Sequence, residues 1–102
     1  MKVFYVGRKH RTNAWGDYNP KSGEIVVNKG SVVSETVASF RNAEYVKKLR
    51  NQYVDNNGVL IKDLLFPNPS SAVAFVAGYS ADGRLAWHVE KHRTLRDEYD
   101  DH

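Results

Sequence analysis

Three short segments in the first 28 residues each favour a β-strand, and the connections between them are short. Residues 3–6, 14–18 and 24–28 are rich in β-branched and aromatic side chains, which suit a pleated sheet. A basic segment, residues 8–11, separates the first two strands, and Gly16 indicates a bulge or a close backbone approach. Parallel pairing would need a crossover of roughly a dozen residues. The sequence therefore predicts an antiparallel meander.

Two helices are predicted after the meander. With Ser39 as N-cap, apolar residues recur at intervals of three to four, and Gly58 is suited to the left-handed position that ends such a helix. The second helix has Asn68 as its cap and a proline at its first position. Residues 72–77 are apolar all round, and Gly78 suits the end. This composition predicts a helix that is buried on most sides.

The remaining segments complete a single domain, in keeping with a length of 102 residues. Residues 84–89 are predicted to form a strand whose alternate residues, Leu85, Trp87 and Val89, share one face. Residues 96–102 form an acidic tail that we expect to fray. We therefore predict an α+β domain over residues 1–95, with a mainly antiparallel sheet and two helices packed on one face.

Motifs for catalysis or metal binding are absent from the sequence. The chain has no cysteine, which removes disulfides, thiolate catalysis and cysteine-based metal sites. His88 and His92 are four residues apart, but their segment is predicted to be extended and no third ligand is obvious. Ser70 and Ser71 stand at a helix start, where hydroxyls more often cap N–H groups than attack carbonyls. We expect no enzyme activity, no cofactor and no metal site.

Charge is distributed unevenly along the chain. Residues 1–50 hold ten Lys and Arg against four Asp and Glu, whereas residues 51–102 hold five against eight. A basic half attracts polyanions such as nucleic acid, with an affinity that falls as salt rises. Composition alone slightly favours the alternative, a solvated surface of uneven charge.

Candidate nucleic-acid contacts combine cations with aromatic side chains. Basic groups neutralise phosphates, and exposed rings stack on bases. The two tryptophans, Trp15 and Trp87, can equally be structural. The candidate residues are Arg8, Lys9, Arg11, Lys21, Lys29 and Arg84 for phosphates, Trp15 and Trp87 as optional stacking groups, and Ser31, which follows a glycine and can expose its hydroxyl.

Several motifs, taken in order, resemble a known family. They are FYVGRK at 4–9, VVNKGS at 26–31, LLFPNPSSA at 64–72 and GYSADG at 78–83, followed by Trp87. The pattern resembles the uncharacterised domain family found C-terminal to GIY-YIG nucleases and other DNA-processing proteins. It is also similar to the related domain associated with restriction and modification adenine methylases. The resemblance spans almost the whole chain.

The resemblance implies an accessory module that binds DNA without catalysis of its own. By position, residues 29–31 match the family's Lys-Gly-Ser element and Trp87 its second tryptophan, whereas Arg84 stands where the family has its first. The implied partners are DNA and a nuclease or methylase domain. The alternative is a protein-interaction or structural module that positions a partner enzyme.

Segments for targeting or membrane insertion are not visible in the sequence. The first residues turn polar at Gly7, and the apolar run at 72–78 is far shorter than the roughly 20 residues that span a bilayer. We therefore expect a cytoplasmic protein that does not enter membranes.

Overall fold

The computed structural model describes residues 1–7 and 12–100, which form a six-stranded sheet and four helices. The strands follow the order β4-β3-β2-β1-β5-β6, and every neighbouring pair is antiparallel. The α+β class and the opening meander of three strands are therefore confirmed. In chain order the elements are β1 (Lys2–Gly7), β2 (Thr12–Tyr18), β3 (Ile25–Val27), α1 (Ala43–Tyr53), β4 (Leu64–Phe66), α2 (Pro69–Ala77), α3 (Gly83–Ala86), β5 (His88–Glu90), β6 (Arg93–Thr94) and α4 (Leu95–Asp100).

Alternation along the strands separates a buried face of the sheet from an exposed one. Helix α2 packs on β2, β3 and β4. The buried core on this face includes Val3 and Tyr5 of β1, Ala14 of β2, and Ile25 and Val27 of β3. The side chains between them point away from this core. The sheet therefore has one face covered by helix and one face that the described helices leave uncovered.

Gly16 lies where β2 passes close to the backbone of β3. A Cβ atom at this position would overlap the carbonyl oxygen of Val26. The predicted close backbone approach at Gly16 is confirmed.

Helix α2 begins and ends as the sequence predicts. The side-chain oxygen of Asn68 accepts a hydrogen bond from the Ser71 amide at 2.8 Å, and Gly78 ends the helix with a left-handed φ of 80°. The apolar body is buried, as expected, and Ala72, Val73, Phe75 and Val76 are each 0% exposed.

Helix α1 begins later than predicted and packs against α2. Its N-cap is Asn42, so the prediction that Ser39 caps it is wrong. Phe40 packs against the hydrophobic core, and the backbone of residues 39–42 turns before it becomes helical. The helix ends at Tyr53 because the next residue, Val54, is extended and forms an isolated bridge with Leu60.

The prediction of a strand over residues 84–89 is wrong in its first half. The Asp82 carboxylate accepts a hydrogen bond from the Arg84 amide at 3.0 Å and begins the single turn of α3. The helical turn also separates Leu85, which is 47% exposed, from Trp87, which is fully buried. Trp87 is extended, and the strand β5 that follows it is His88–Glu90.

The acidic segment that we expected to fray is helical as far as Asp100, in α4. Thr94 and Asp97 form a reciprocal cap: the Thr94 amide donates to the Asp97 carboxylate at 2.9 Å, and the Asp97 amide donates to Thr94 Oγ1 at 3.3 Å. These bonds from Thr94 lower the pKa of Asp97. Leu95 is buried and fixes the helix to the core. The Thr-x-x-Asp spacing is a capping signal that is visible in the sequence.

Candidate nucleic-acid interface

Three ring-bearing side chains form a row across the uncovered face of the sheet. The strand register places Phe4 of β1 opposite Trp15 of β2 on one side and opposite His88 of β5 on the other. The Phe4 and His88 rings are stacked, with centroids 5.6 Å apart and planes 25° apart. Trp15 is 40% exposed, whereas Phe4 and His88 are half-buried. We call these three residues the aromatic row.

Gly30 and Ser31 of the Lys-Gly-Ser element contact Trp15. A Cβ atom on Gly30 would lie 3.3 Å from Cζ2 of the indole, so the ring rests against a residue that has no side chain. The Trp15 amide donates to Ser31 Oγ at 3.2 Å, and this hydroxyl lies 3.4 Å from the Trp15 carbonyl oxygen, to which it donates. The position of the indole is therefore set by the two residues that follow Lys29.

His88 is also held in place. Its Nδ1 lies 3.0 Å from the carbonyl oxygen of Ala86, which can only accept, so Nδ1 carries the proton. The stacking on Phe4 and this hydrogen bond fix the imidazole from two directions. The second end of the aromatic row is thus oriented before any ligand arrives.

A second row on the same face carries opposite charges that cancel. Lys2 and Asp17 face each other across β1 and β2, and their ion pair is 3.0 Å long. Val26 and Leu65 continue this row across β3 and β4. This part of the face is apolar or neutral and does not attract a polyanion.

The structure describes three of the six predicted phosphate-binding cations, Lys21, Lys29 and Arg84. Arg8, Lys9 and Arg11 belong to the basic segment and lie outside the described residues. Lys21 is exposed in the turn after β2, and the seven-residue β2 separates it by roughly 20 Å from the end at which the basic segment joins that strand. Lys29 is exposed and directly precedes Gly30, the residue against which the Trp15 indole rests.

Arg84 lies away from the aromatic row. It is exposed in α3, which packs against α2 and α4 rather than on the uncovered face of the sheet. The predicted grouping of Arg84 with the cations of the first half is therefore not seen.

Trp87 and Ser31 occupy structural positions. Trp87 is 0% exposed, and its indole N–H donates to the carbonyl of Pro69 at 3.0 Å. Its ring packs edge-on against Tyr5 with centroids 6.1 Å apart. Ser31 is also 0% exposed. Neither side chain has surface with which to touch a ligand in this structure, and both hold the fold together.

Phe4 and His88 were not among the candidate contacts. The period-two alternation of β1 is visible in the sequence and places Phe4 on the face opposite to Val3 and Tyr5. The sequence does not reveal that β1 pairs with β5. This pairing brings His88 beside Phe4, although the two residues are 84 positions apart in the chain.

A groove lies beside α1. It has a volume of about 700 Å³ and runs between α1 and the segments 32–37 and 54–58. Its serine, Ser34, donates to the carbonyl of Thr36 at 2.8 Å and accepts from Arg50 at 2.9 Å. This hydroxyl is engaged in holding the fold, and the groove brings no histidine to it.

Metal-binding clusters and membrane-spanning helices are both missing from the described part of the chain. Within 1–7 and 12–100, no three His, Asp or Glu side chains are grouped so that they could hold a metal ion. Over the same residues, every helix is too short or too polar to cross a bilayer.

Comparisons with known proteins place the chain in one family. No curated protein and no solved structure matches it significantly. Residues 4–99 match the family described as "Domain of unknown function (DUF4357)". This match covers the aromatic row, the Lys-Gly-Ser element and all of the helices except the end of α4. The chain therefore belongs to the DUF4357 family.

Proposed function

We propose that this chain is a non-catalytic nucleic-acid-binding module of the kind appended to nucleases or DNA-modification enzymes. The observation that carries the proposal is the aromatic row on the uncovered face of the sheet, crossing β2, β1 and β5. Rings on an accessible surface can stack on bases, and cations nearby can neutralise phosphates. DNA is the favoured ligand because the family resemblance points to DNA-processing enzymes.

The distribution of charge along the chain also favours nucleic-acid binding near β1 and β2. The first 31 residues hold six Lys and Arg against two Asp and Glu. Three of those cations, Arg8, Lys9 and Arg11, fall in the segment that joins β1 to β2, the two strands that carry Phe4 and Trp15. The only acid of β1 and β2 is Asp17, which is paired with Lys2.

The test compares two variants that remove the same charge from different places. Replacing Arg8, Lys9 and Arg11 by Ala should weaken binding to a labelled 20-nucleotide DNA by roughly ten-fold or more at low salt. The slope of log Kd against log salt should fall by about one for each phosphate that the variant no longer neutralises. Fluorescence anisotropy at several salt concentrations measures both.

The matched control removes three cations from α1 and the turn before it, on the helical side of the molecule: Arg41, Lys47 and Lys48 are replaced by Ala. We expect its affinity to stay within two- to three-fold of the unaltered chain. Equal decreases in affinity for both variants would mean that net charge alone drives binding. Absence of binding by the unaltered chain, with both single-stranded and duplex DNA at low salt, would refute the proposed function.

A protein-interaction module is the second candidate. It is favoured by the exposed apolar side chains on the same face, where Val6 is 58% and Leu65 is 62% exposed. Exposed apolar patches mark protein contacts more often than they mark phosphate contacts. A pull-down from cell extract that recovers nucleic acid and no protein would count against this candidate.

A further inference from the structure

We propose that the uncovered face of the sheet selects unpaired nucleotides over duplex, with Trp15 as the principal base-stacking side chain. This inference rests on the proposed function and names its ligand class. It follows from how Trp15 is supported, from the spacing of the aromatic row and from where the charges lie around it.

Trp15 has the properties of a stacking platform that is fixed in advance. Its side chain is exposed to 40%, although a tryptophan gains free energy when its ring is buried. The contacts with Gly30 and Ser31 hold the backbone and one edge of the indole. A ring that is already ordered loses little conformational entropy when a ligand binds. The indole is therefore left exposed at a cost in free energy, and its contacts with Gly30 and Ser31 hold it in place.

The aromatic row has dimensions that suit several bases. Adjacent strands are about 4.8 Å apart, so the three positions of the row span about 10 Å across β2, β1 and β5. Open antiparallel sheets with aromatic side chains on neighbouring strands stack successive bases of single strands. The bases of a duplex are stacked on one another and do not offer their faces to such a surface. The geometry therefore favours unpaired bases.

The charges define the direction in which a strand would leave Trp15. On one side of Trp15 along β2 lies Asp17, whose charge is cancelled by its ion pair with Lys2, so this side does not attract phosphates. On the other side lies Asn13, followed by the connection that contains the basic segment. The exposed Lys29 lies next to the glycine that touches the indole, and its backbone amide donates to the Asp63 carboxylate at 2.7 Å. In sequence, the cations that could meet a sugar-phosphate backbone therefore come before the Asn13 end of β2 and at Lys29.

The experiment compares a labelled 12-nucleotide oligo(dT) with a 12-base-pair duplex. We expect the unaltered chain to bind the single strand at least ten-fold more tightly. Trp15→Leu should lower the affinity for the single strand by roughly 5- to 150-fold, the range for removal of one base–aromatic stack. Trp15→Phe keeps a ring and should retain most of the affinity. Tyr45→Leu removes another exposed aromatic residue, 62% exposed, from α1 and should change the affinity less than two-fold.

The outcomes separate this inference from the proposed function. If single strand and duplex bind equally, or if Trp15→Leu binds oligo(dT) like the unaltered chain, the inference is overturned. Salt-dependent binding that weakens on removal of Arg8, Lys9 and Arg11 would then still support the proposed function. If no oligonucleotide binds, both fail. Circular dichroism checks that Trp15→Leu is folded, and Trp15→Phe gives a second reading of the same site.

Discussion

A single guanidinium, that of Arg50, joins three parts of the chain. Nε and Nη2 both donate to the carbonyl of Phe75, at 2.9 and 2.7 Å, and Nη1 donates to the carbonyl of Ser34 at 2.9 Å. Burial lowers the pKa of Arg50 to about 10, which leaves it charged at neutral pH. The carbonyls at the end of α2 carry the negative end of the helix dipole, so they match this buried cation. Arg50 is therefore a structural cation and not a candidate for phosphate binding.

Replacing Arg50 by Met should destabilise the fold by about 2–4 kcal/mol. Met fills part of the same volume, but the carbonyls of Phe75 and Ser34 lose their donor in a partly buried setting. The destabilisation by Arg50→Lys should be smaller than that by Arg50→Met but greater than zero, because an ammonium cannot reach all of these acceptors in the same geometry. Urea denaturation measures the change.

The control for this prediction is Lys48→Met, which alters an exposed cation on the same helix. Its effect should stay within about 0.5 kcal/mol. A destabilisation below about 1 kcal/mol for Arg50→Met would show that the guanidinium is not what holds α1 to α2.

At the scale of elements, the start of α3 is pressed against the start of α2. A Cβ atom on Gly83 would overlap the carbonyl carbon of Pro69 and the amide nitrogen of Ser70. The Gly83 amide donates to Ser70 Oγ at 2.9 Å, and the Trp87 indole N–H donates to the Pro69 carbonyl at 3.0 Å. The two helix starts and Trp87 therefore form one packed unit.

Gly83→Ala should destabilise the fold by about 1–3 kcal/mol or more, because backbone atoms must move to admit the methyl group. Gly23→Ala is the matched comparison. An added Cβ at Gly23 meets nothing within 4 Å, and only its φ of 79° is unfavourable. It should cost about 1 kcal/mol. Thermal denaturation of both variants gives the ranking, and a smaller destabilisation at Gly83 than at Gly23 would contradict the close approach of α2 and α3.

Elements with local signals could be predicted from the sequence, and those fixed by distant contacts could not. The bounds of α2 follow from Asn68 and Gly78, which act within the helix itself. The turn of α3 is not predictable in this way because the sequence around Trp87 alternates like a strand, whereas the burial of Trp87 against Pro69 requires the chain to turn. The cap formed by Thr94 and Asp97 is local, and its spacing is a signal that the sequence does carry.

The residues of the candidate site likewise include some that the sequence predicts and some that depend on distant contacts. Trp15 could be identified because aromatic and basic residues lie close together in sequence. Its partners Phe4 and His88 depend on strand register, which one sequence does not give. The separation of Lys21 from the Thr12 end of β2 follows from the length of the extended strand between them. Counting charges along the chain cannot reveal that separation.

At the scale of the whole molecule, the two sides of the sheet differ: one is buried under helices and the other is exposed. The covered side holds the core, Trp87 and the Arg50 contacts, which link α1, α2 and the segment at Ser34. The uncovered side carries the aromatic row and the Lys2–Asp17 ion pair. Because α2 lies between α1 and the sheet, a ligand on the uncovered face would not reach α1. The two tryptophans report on the two sides separately.

This arrangement predicts which nuclear magnetic resonance signals move when oligo(dT) is added. The chain has two tryptophans, so it gives two indole N–H signals, and Trp15→Leu identifies the one that belongs to Trp15. The Trp15 signal and the amides of Phe4 and His88 should shift progressively with added oligonucleotide. The Trp87 signal should stay in place, because that N–H is buried and bonded to the carbonyl of Pro69. Shifts concentrated in α1, with Trp15 unmoved, would place the ligand on the helical side and contradict an interface on the uncovered face of the sheet.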